Sequence, residues 1–393
     1  MNIGKRHENL ILTLCTLILV GLGAVMVYSA SSITAGASDR LGHDAAYYFK
    51  RQVLFFVVGA SLALFLSRID YDIFRRHIPL LLGGTFVLLI LVYVPGIRHT
   101  ANGASRWINL QLFTFQPSEL AKFSLIAYAA YTIDRRGENF RAGGRAFLPM
   151  LSVLAATVVL ILKEPDFGMA VVVTASFLAL LYIAGFPWKL LAGCGILGGI
   201  GVALTIAAKP YRMARLSAFF DPFSQAQAAG YQVVQSLIAF SNGGLLGTGI
   251  GAGKQKLFYL PEMHTDYIFS VIGEELGFAG VVVVGACYMT LVWVGFRIGR
   301  RARDPFGKYL AMGISTVIGV QALANMMVGL KMLPPKGMVL PFLSYGGSSL
   351  ILHLAAVGVL TNISMKGAEG FVAEPGNRRR GNRRARVPGD SAC

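Results

Sequence analysis

Residues 10–30 read LILTLCTLILVGLGAVMVYSA, without a single charge. As an α-helix this run rises roughly 31 Å at about 1.5 Å per residue, close to the ~30 Å hydrocarbon core of a bilayer. Runs of the same kind recur near 48–67, 78–95, 117–133, 147–163, 168–185, 188–207, 267–296, 308–329 and 344–364. The composition agrees: 55% of the 393 residues are hydrophobic and 14% are charged, where a soluble domain carries roughly 25% charged residues. So few polar residues cannot cover a water-facing surface, and so apolar a chain cannot stay disordered. The expected fold is an all-α polytopic membrane protein of about ten transmembrane helices. MNIGKRHENL before the first run looks like the start of a signal peptide. The length of the run and the lack of a clear cleavage site favour a retained first span.

Ten spans put both termini on one side, and charge decides which. With the amino terminus in the cytoplasm, the inner segments hold Lys5, Arg6, Arg68, Arg75, Arg76, Arg135, Arg136, Arg141, Arg145, Lys189, Arg297, Arg300, Arg301, Arg303 and Lys308. The carboxy-terminal segment 367–393, ending GNRRRGNRRARVPGDSAC, adds most of the rest of the inner charge. This distribution obeys the positive-inside rule, so both termini are expected to be cytoplasmic. Residues 1–366 then form the membrane domain, and 367–393 a disordered Arg-rich tail beside anionic lipid. Two long outer segments remain, 96–116 and 208–266. The second, between spans 7 and 8, is expected to hold an interfacial helix from Asp221-Pro222 to Asn242-Gly243-Gly244.

Several function classes fall away. Cys15, Cys194, Cys287 and Cys393 show no paired spacing and no Cys/His cluster, which supports neither a disulfide framework nor a zinc site. Gly247-Thr-Gly-Ile-Gly-Ala-Gly-Lys254 is not a Walker loop. Thr248 stands where the first glycine is needed, and Gln255 replaces the magnesium-holding Ser or Thr. The glycines read instead as a tight, closely packed outer loop.

The chemistry-bearing residues gather at the outer ends of spans. Glu262, His264 and Asp266 crowd before the eighth span. There Asp266 reads either as a helix cap or as a partly desolvated carboxylate suited to accept a proton. Glu119 and Lys122 share a helix face at i and i+3, as a structural ion pair or as a functional one. Glu164 and Asp166 end the fifth span, and Glu274 and Glu275 lie inside the eighth, where structural pairing is the favoured reading.

These segments resemble a known family. Leu260-Pro-Glu-Met-His-Thr-Asp-Tyr-Ile-Phe-Ser-Val-Ile-Gly-Glu-Glu-Leu-Gly277 and Leu333-Pro-Pro-Lys-Gly-Met-Val-Leu-Pro-Phe-Leu-Ser-Tyr-Gly-Gly-Ser-Ser349 are similar to signatures of the SEDS proteins (shape, elongation, division and sporulation). So are Ser105-Arg-Trp-Ile108, Gln116-Pro-Ser-Glu119 and Glu164-Pro-Asp-Phe-Gly168, and the likeness runs from about residue 10 to 365. Tyr231-Gln-Val-Val-Gln-Ser-Leu237, Gly253-Lys-Gln-Lys256 and Pro335-Lys-Gly337 resemble the division branch more than the elongation branch. Tyr267 stands where Phe is common in the family.

The resemblance implies a peptidoglycan glycosyltransferase of the cytoplasmic membrane at the division septum, with its active site on the outer face. It would polymerise lipid II, transferring a growing glycan from undecaprenyl diphosphate to a lipid II hydroxyl with inversion. The implied partners are a class B penicillin-binding protein of the FtsI type and other divisome membrane proteins, with no nucleic acid. Asp266 matches the family's catalytic aspartate, and Glu119 and Lys122 its glutamate and lysine. Trp107 and Asp166 match positions in the outer loops, and Arg106, His264 and Glu262 join them as expected substrate-binding residues. The departing diphosphate needs positive charge, from Lys122, Arg106 or a divalent cation such as Mg or Mn. The alternatives are a lipid II flippase, a non-catalytic division scaffold and an ion-coupled transporter. The absence of an evident inverted repeat weakens the last.

Overall fold

The structure is a computed structural model, describing residues 3–96, 98–101, 104–109, 113–137, 147–207, 213, 217, 219–224, 230–256 and 263–369. Lipid offers no partner to a backbone N–H or C=O, so each apolar run closes its hydrogen bonds within a helix. The first three helices are α1 (Ile3–Gly36), α2 (Tyr47–Arg68) and α3 (Asp72–Leu91). A small sheet follows, β1 (Arg98–Ala101), β2 (Ala104–Asn109) and β3 (Thr114–Phe115). Then come α4 (Pro117–Arg136), α5 (Phe147–Lys163), α6 (Phe167–Ile183) and α7 (Trp188–Ala207). The chain ends with α8 (Tyr231–Gly243), α9 (Ile268–Glu275), α10 (Gly277–Arg300), α11 (Pro305–Gly329) and α12 (Gly347–Glu369).

Among the described residues six helices are long and apolar enough to cross a membrane: α1, α2, α3, α10, α11 and α12. The apolar helices α5, α6 and α7 are shorter. α4 is different in kind. It carries Glu119, Lys122, Asp134, Arg135 and Arg136, yet most of its length is buried. Its small residues Ala121, Ala127, Ala129 and Ala130 let α3, α6 and α11 pack closely around it. α2 and α3 instead expose Leu54, Val57, Leu64, Phe65, Leu80 and Val87, the side chains a lipid-facing surface requires.

The bundle has two distinct ends. At one, Arg297 and Arg301 meet Glu8 at 3.0 and 2.7 Å, and Arg75 meets Asp134 at 2.7 Å. Lys366 pairs with Asp70 there, and Tyr71 donates to Asp304 at 2.5 Å. These contacts tie the start of α1 and the α2–α3 turn to the ends of α4, α10 and α12. This is the basic end that the charge pattern assigns to the cytoplasm. The opposite end holds the sheet, the α5–α6 turn, α8, α9 and the segment 330–346.

Three local features differ from the sequence expectations. The segment 96–116, expected as loop, holds a three-stranded antiparallel sheet in order β1-β2-β3. His99 pairs with Trp107, and Ile108 with Phe115. The strands are too short to give a period-2 signal. The interfacial helix starts at Tyr231 rather than Asp221, with residues 222–224 in a turn. It is also more than interfacial, since Ser236 Oγ bonds the Gly329 carbonyl and Ser270 Oγ, each at 2.6 Å. Glu262 and the tail beyond Glu369 lie outside the described residues.

The third difference is that the run 267–296 is two helices, broken at Leu276 and Gly277. Gly277 has φ +65°, a left-handed conformation that side chains disfavour. The carbonyls freed by the break are taken by the glycine-rich loop after α8. Thr248 N donates to Glu274 O and Gly249 N to Glu275 O, both at 3.0 Å. The two carboxylates hold the same loop. Glu274 accepts from Lys254 N at 2.9 Å, and Glu275 accepts from Gly251 N at 3.0 Å and from Ser29 Oγ at 2.7 Å. Glu275 also pairs with Lys256 at 3.4 Å, so both carboxylates bind this loop, in keeping with a structural role. A Cβ on Gly277 would lie 2.3 Å from Gly247 N. Gly277→Ala is expected to destabilise the protein by about 1–3 kcal/mol from backbone strain, before counting that overlap. A purified variant melting at the wild-type temperature would contradict the break described here.

Candidate active site

At the sheet-bearing end, β2, the start of α4, the turn 263–267 and the segment 335–349 enclose a cavity of about 550 Å³. Local sequence explains how each wall is set. Pro117 occupies the first turn of α4, where its missing N–H costs nothing. Gln116 N donates to Ser348 Oγ at 3.0 Å, and Ser348 Oγ donates to Thr114 O at 3.1 Å. These bonds pin the entry of α4 to the entry of α12. Asp166 caps α6 by accepting from Met169 N at 3.1 Å.

Asp266 and Arg106 both come close to Gly337. A Cβ on Gly337 would lie 3.3 Å from Arg106 Nη1 and 3.5 Å from Asp266 Oδ2, so any larger residue would crowd the gap between the two charges. Tyr267 holds the N-cap position of α9 and makes no side-chain cap bond, which places Asp266 one residue before the cap. Arg106 also braces the α5–α6 turn, donating to Pro165 O at 2.6 Å and to Glu164 O at 3.4 Å. Arg51, Lys336, Trp107, Tyr345 and Glu119 share the cavity wall with this pair. Three cations and two carboxylates thus surround one space, with Trp107 offering an aromatic face.

Lys122 lies beneath this wall. Its side chain is wholly shielded, and it donates to Glu119 Oε2 at 2.7 Å and to Gln321 Oε1. Glu119 is the member of the pair that reaches the cavity. Asp166 is also buried, behind the wall. It accepts from Gln116 Nε2 at 3.1 Å and lies 4.0 Å from Arg106 Nε. The His264 carbonyl accepts from Tyr345 N at 2.9 Å, and its ring packs 4.5 Å from the Tyr48 ring, away from the cavity lining.

Burial sets the protonation states in the surrounding loops. Glu164 is fully buried with neither carboxyl oxygen hydrogen-bonded, and desolvation with Asp166 nearby pushes it up to about 9. Burial also raises Asp166, against the pull of Arg106. Lys336 is lowered by burial, and Tyr345 is pushed up to about 12, so its hydroxyl stays a donor.

Arg51 and Lys336 were not foreseen as site residues. Arg51 reads in the sequence as one more basic residue at a span end. Lys336 could have been found from Pro335-Lys-Gly337, where a rigid and a permissive residue flank a lone cation. Among the described residues no three His, Cys, Asp or Glu side chains converge, so a divalent cation here would be held by one or two carboxylates together with the substrate's diphosphate.

Comparison with known proteins gives the family. The family profile described as "Cell cycle protein", covering FtsW, RodA and SpoVE, matches residues 9–369. A Geobacter protein named "Probable peptidoglycan glycosyltransferase FtsW" is 44% identical over 363 residues, covering 92% of this chain and 98% of its own. "Stage V sporulation protein E" of Bacillus subtilis is 37% identical over 364 residues, covering 93% and 99%. Among solved structures, that reported as "Structural coordination of polymerization and crosslinking by a peptidoglycan synthase complex" superposes with a TM-score of 0.73. It is 27% identical and covers 91% of this chain and 97% of its own. The rod-shape-determining protein RodA of Thermus thermophilus gives 0.66 at 27% identity, covering 90% and 95%. The buried ion pair, the broken eighth run and the charged cavity thus lie in a multi-pass membrane protein that belongs to the FtsW/RodA/SpoVE family.

Proposed function

We propose that this chain is a peptidoglycan glycosyltransferase that polymerises lipid II in this cavity, on the outer face of the cytoplasmic membrane during septum synthesis. The observation that carries the reading is that the Asp266 carboxylate and the Arg106 guanidinium both lie beside Gly337, in a cavity that also holds Arg51 and Lys336. Transfer to a sugar hydroxyl needs a base at the acceptor and positive charge at a diphosphate leaving group. Asp266 takes the proton of the acceptor 4-hydroxyl as its oxygen bonds to C1 of the donor sugar. The C1–O bond to diphosphate breaks on the opposite face, giving inversion. Arg106, Arg51 and Lys336 receive the charge that leaves. Trp107 stacks on a sugar ring, and Glu119, held by Lys122, orients the acceptor.

This assignment refines the roles expected from the resemblance. Lys122 acts through Glu119, Asp166 supports Arg106, and His264 fixes the backbone beside Asp266. The peptidoglycan synthase complex among the similar structures supports a crosslinking partner, for which a class B penicillin-binding protein is the fitting class. Residues 1–366 form the membrane domain in this reading, and the basic tail stays on the cytoplasmic side.

Asp266→Asn keeps the shape of the side chain and removes its basicity. It is expected to lower lipid II polymerisation by about 10²–10⁴-fold, with accumulation in the membrane unchanged. Glycan of wild-type length and yield from that variant would remove Asp266 from the base role.

Glu164 gives a pH prediction with a definite sign. Its folded value of about 9 lies above the ordinary 4.5, so the folded state keeps a proton that the unfolded state loses. Between those values stability falls as pH rises. Glu164→Gln is expected to flatten this decline while leaving polymerisation at pH 7 within about twofold, because Glu164 is already neutral there. Melting temperatures from pH 5 to 9 test it; a decline as steep as that of the wild type would contradict it.

A further inference from the structure

Two buried amides on α11 connect parts of the site that come from distant stretches of chain. Gln321 and Asn325 lie one turn apart on the same face, with 0% and 1% exposure. Gln321 Oε1 accepts from Lys122, and its Nε2 donates to Val339 O at 2.9 Å. Asn325 Nδ2 donates to Asp266 O at 3.0 Å and to Met338 O at 2.6 Å. One turn further on, the Gly329 carbonyl accepts from Ser236 of α8. A single stripe of α11 therefore holds the Glu119–Lys122 pair, the two residues that follow Lys336–Gly337, the Asp266 turn and α8.

The arrangement is more specific than packing requires. Met338 and Val339 are adjacent residues, and each gives its carbonyl to a different amide of the same helix. The segment carrying Lys336 and Gly337 is thereby fixed in height along α11. Asp266 is tied by its own backbone carbonyl to the amide that holds Met338. The proximity of Asp266 to Gly337 follows from this common tether. Burying two amides in a membrane bundle is unfavourable unless their donors are used. Both donor groups here are used on the two catalytic segments, while Asn325 Oδ1 is buried without a hydrogen-bond partner, so the amide is kept for its donors.

We infer that Gln321 and Asn325 are positioning residues, a two-rung ruler on α11 that sets the distance between Asp266, the Lys336–Gly337 segment and the Glu119–Lys122 pair. Asn325 carries the larger part, because it alone touches the turn that presents Asp266. Neither side chain contacts substrate. Their substitution changes where the carboxylate stands, without changing what binds. The inference rests on the reading of Asp266 as base.

The test is steady-state lipid II polymerisation by the full-length protein with its partner, comparing Asn325→Leu, Asn325→Ser and Gln321→Met. Asn325→Leu keeps the branched shape of the side chain, removes the donors and is expected to lower kcat at least 10-fold with KM within about twofold. Asn325→Ser keeps one shorter donor and is expected to recover part of that loss. It also serves if the leucine variant fails to accumulate. Gln321→Met is expected to lower kcat by a smaller factor.

A cycle with Asp266→Glu separates positioning from general stability. If Asn325 works through Asp266, its loss costs less where the carboxylate is already displaced by one methylene. Equal fold-losses in both backgrounds, or a rise in KM that matches the loss of kcat/KM, would overturn the inference. Full activity of Asn325→Leu beside an inactive Asp266→Asn would overturn it while leaving the assigned base intact. Full activity of Asp266→Asn would instead remove the reading on which it rests.

Discussion

The ion pair between Lys122 and Glu119, both side chains at most 1% exposed, is the interaction on which the site is built. A buried charge that loses its partner costs roughly 3–5 kcal/mol, so this pair fixes its surroundings more firmly than apolar contacts do. It demands a helix shielded from lipid on all sides, and α4 is enclosed by α3, α6 and α11. It demands a further acceptor for the ammonium, and Gln321 of α11 supplies one. Through Gln321 the pair reaches Val339, and through the neighbouring Asn325 it reaches Asp266. The charged cavity at the rim thus stands on a charged pair inside the bundle.

The same constraint explains the irregular backbone at this end. Lipid tolerates no exposed broken helix, so the break at Gly277 needs partners within the protein. The glycine-rich loop after α8 supplies them from its own N–H groups, and Glu274 and Glu275 bind its remaining donors. α9 is therefore a short, wholly buried helix presenting the Asp266 turn, separate from the long lipid-facing α10.

Much of the architecture was legible because the bilayer imposes a length on apolar runs. The ends of α2, α5, α6 and α7 fall within a residue or two of the hydropathy boundaries. Glu119 and Lys122 were legible as partners because i and i+3 share a helix face. The break at Gly277 was not, since a glycine inside an apolar run leaves hydropathy unchanged. Nor were β1–β3, whose pairing depends on partners a few residues away and not on periodicity. Least legible were the tethers of Asn325, because its partners Asp266 and Met338 come from separate stretches and are joined only by folding. Asp266 itself was ambiguous between a helix cap and a base. Its place in the cavity wall, beside Arg106, Arg51 and Lys336, is set by folding and is not visible in the local sequence.

The central claim is spatial: one carboxylate meets the acceptor while three cations meet the leaving group. The most direct measurement is a cryo-electron microscopy structure of the protein with lipid II and an unreactive diphosphate-linked donor analogue. The account predicts the Asp266 carboxylate at roughly 2.6–3.2 Å from the acceptor 4-hydroxyl, with the diphosphate against Arg106, Arg51 and Lys336. A diphosphate seated elsewhere, or an acceptor hydroxyl out of reach of Asp266, would contradict it.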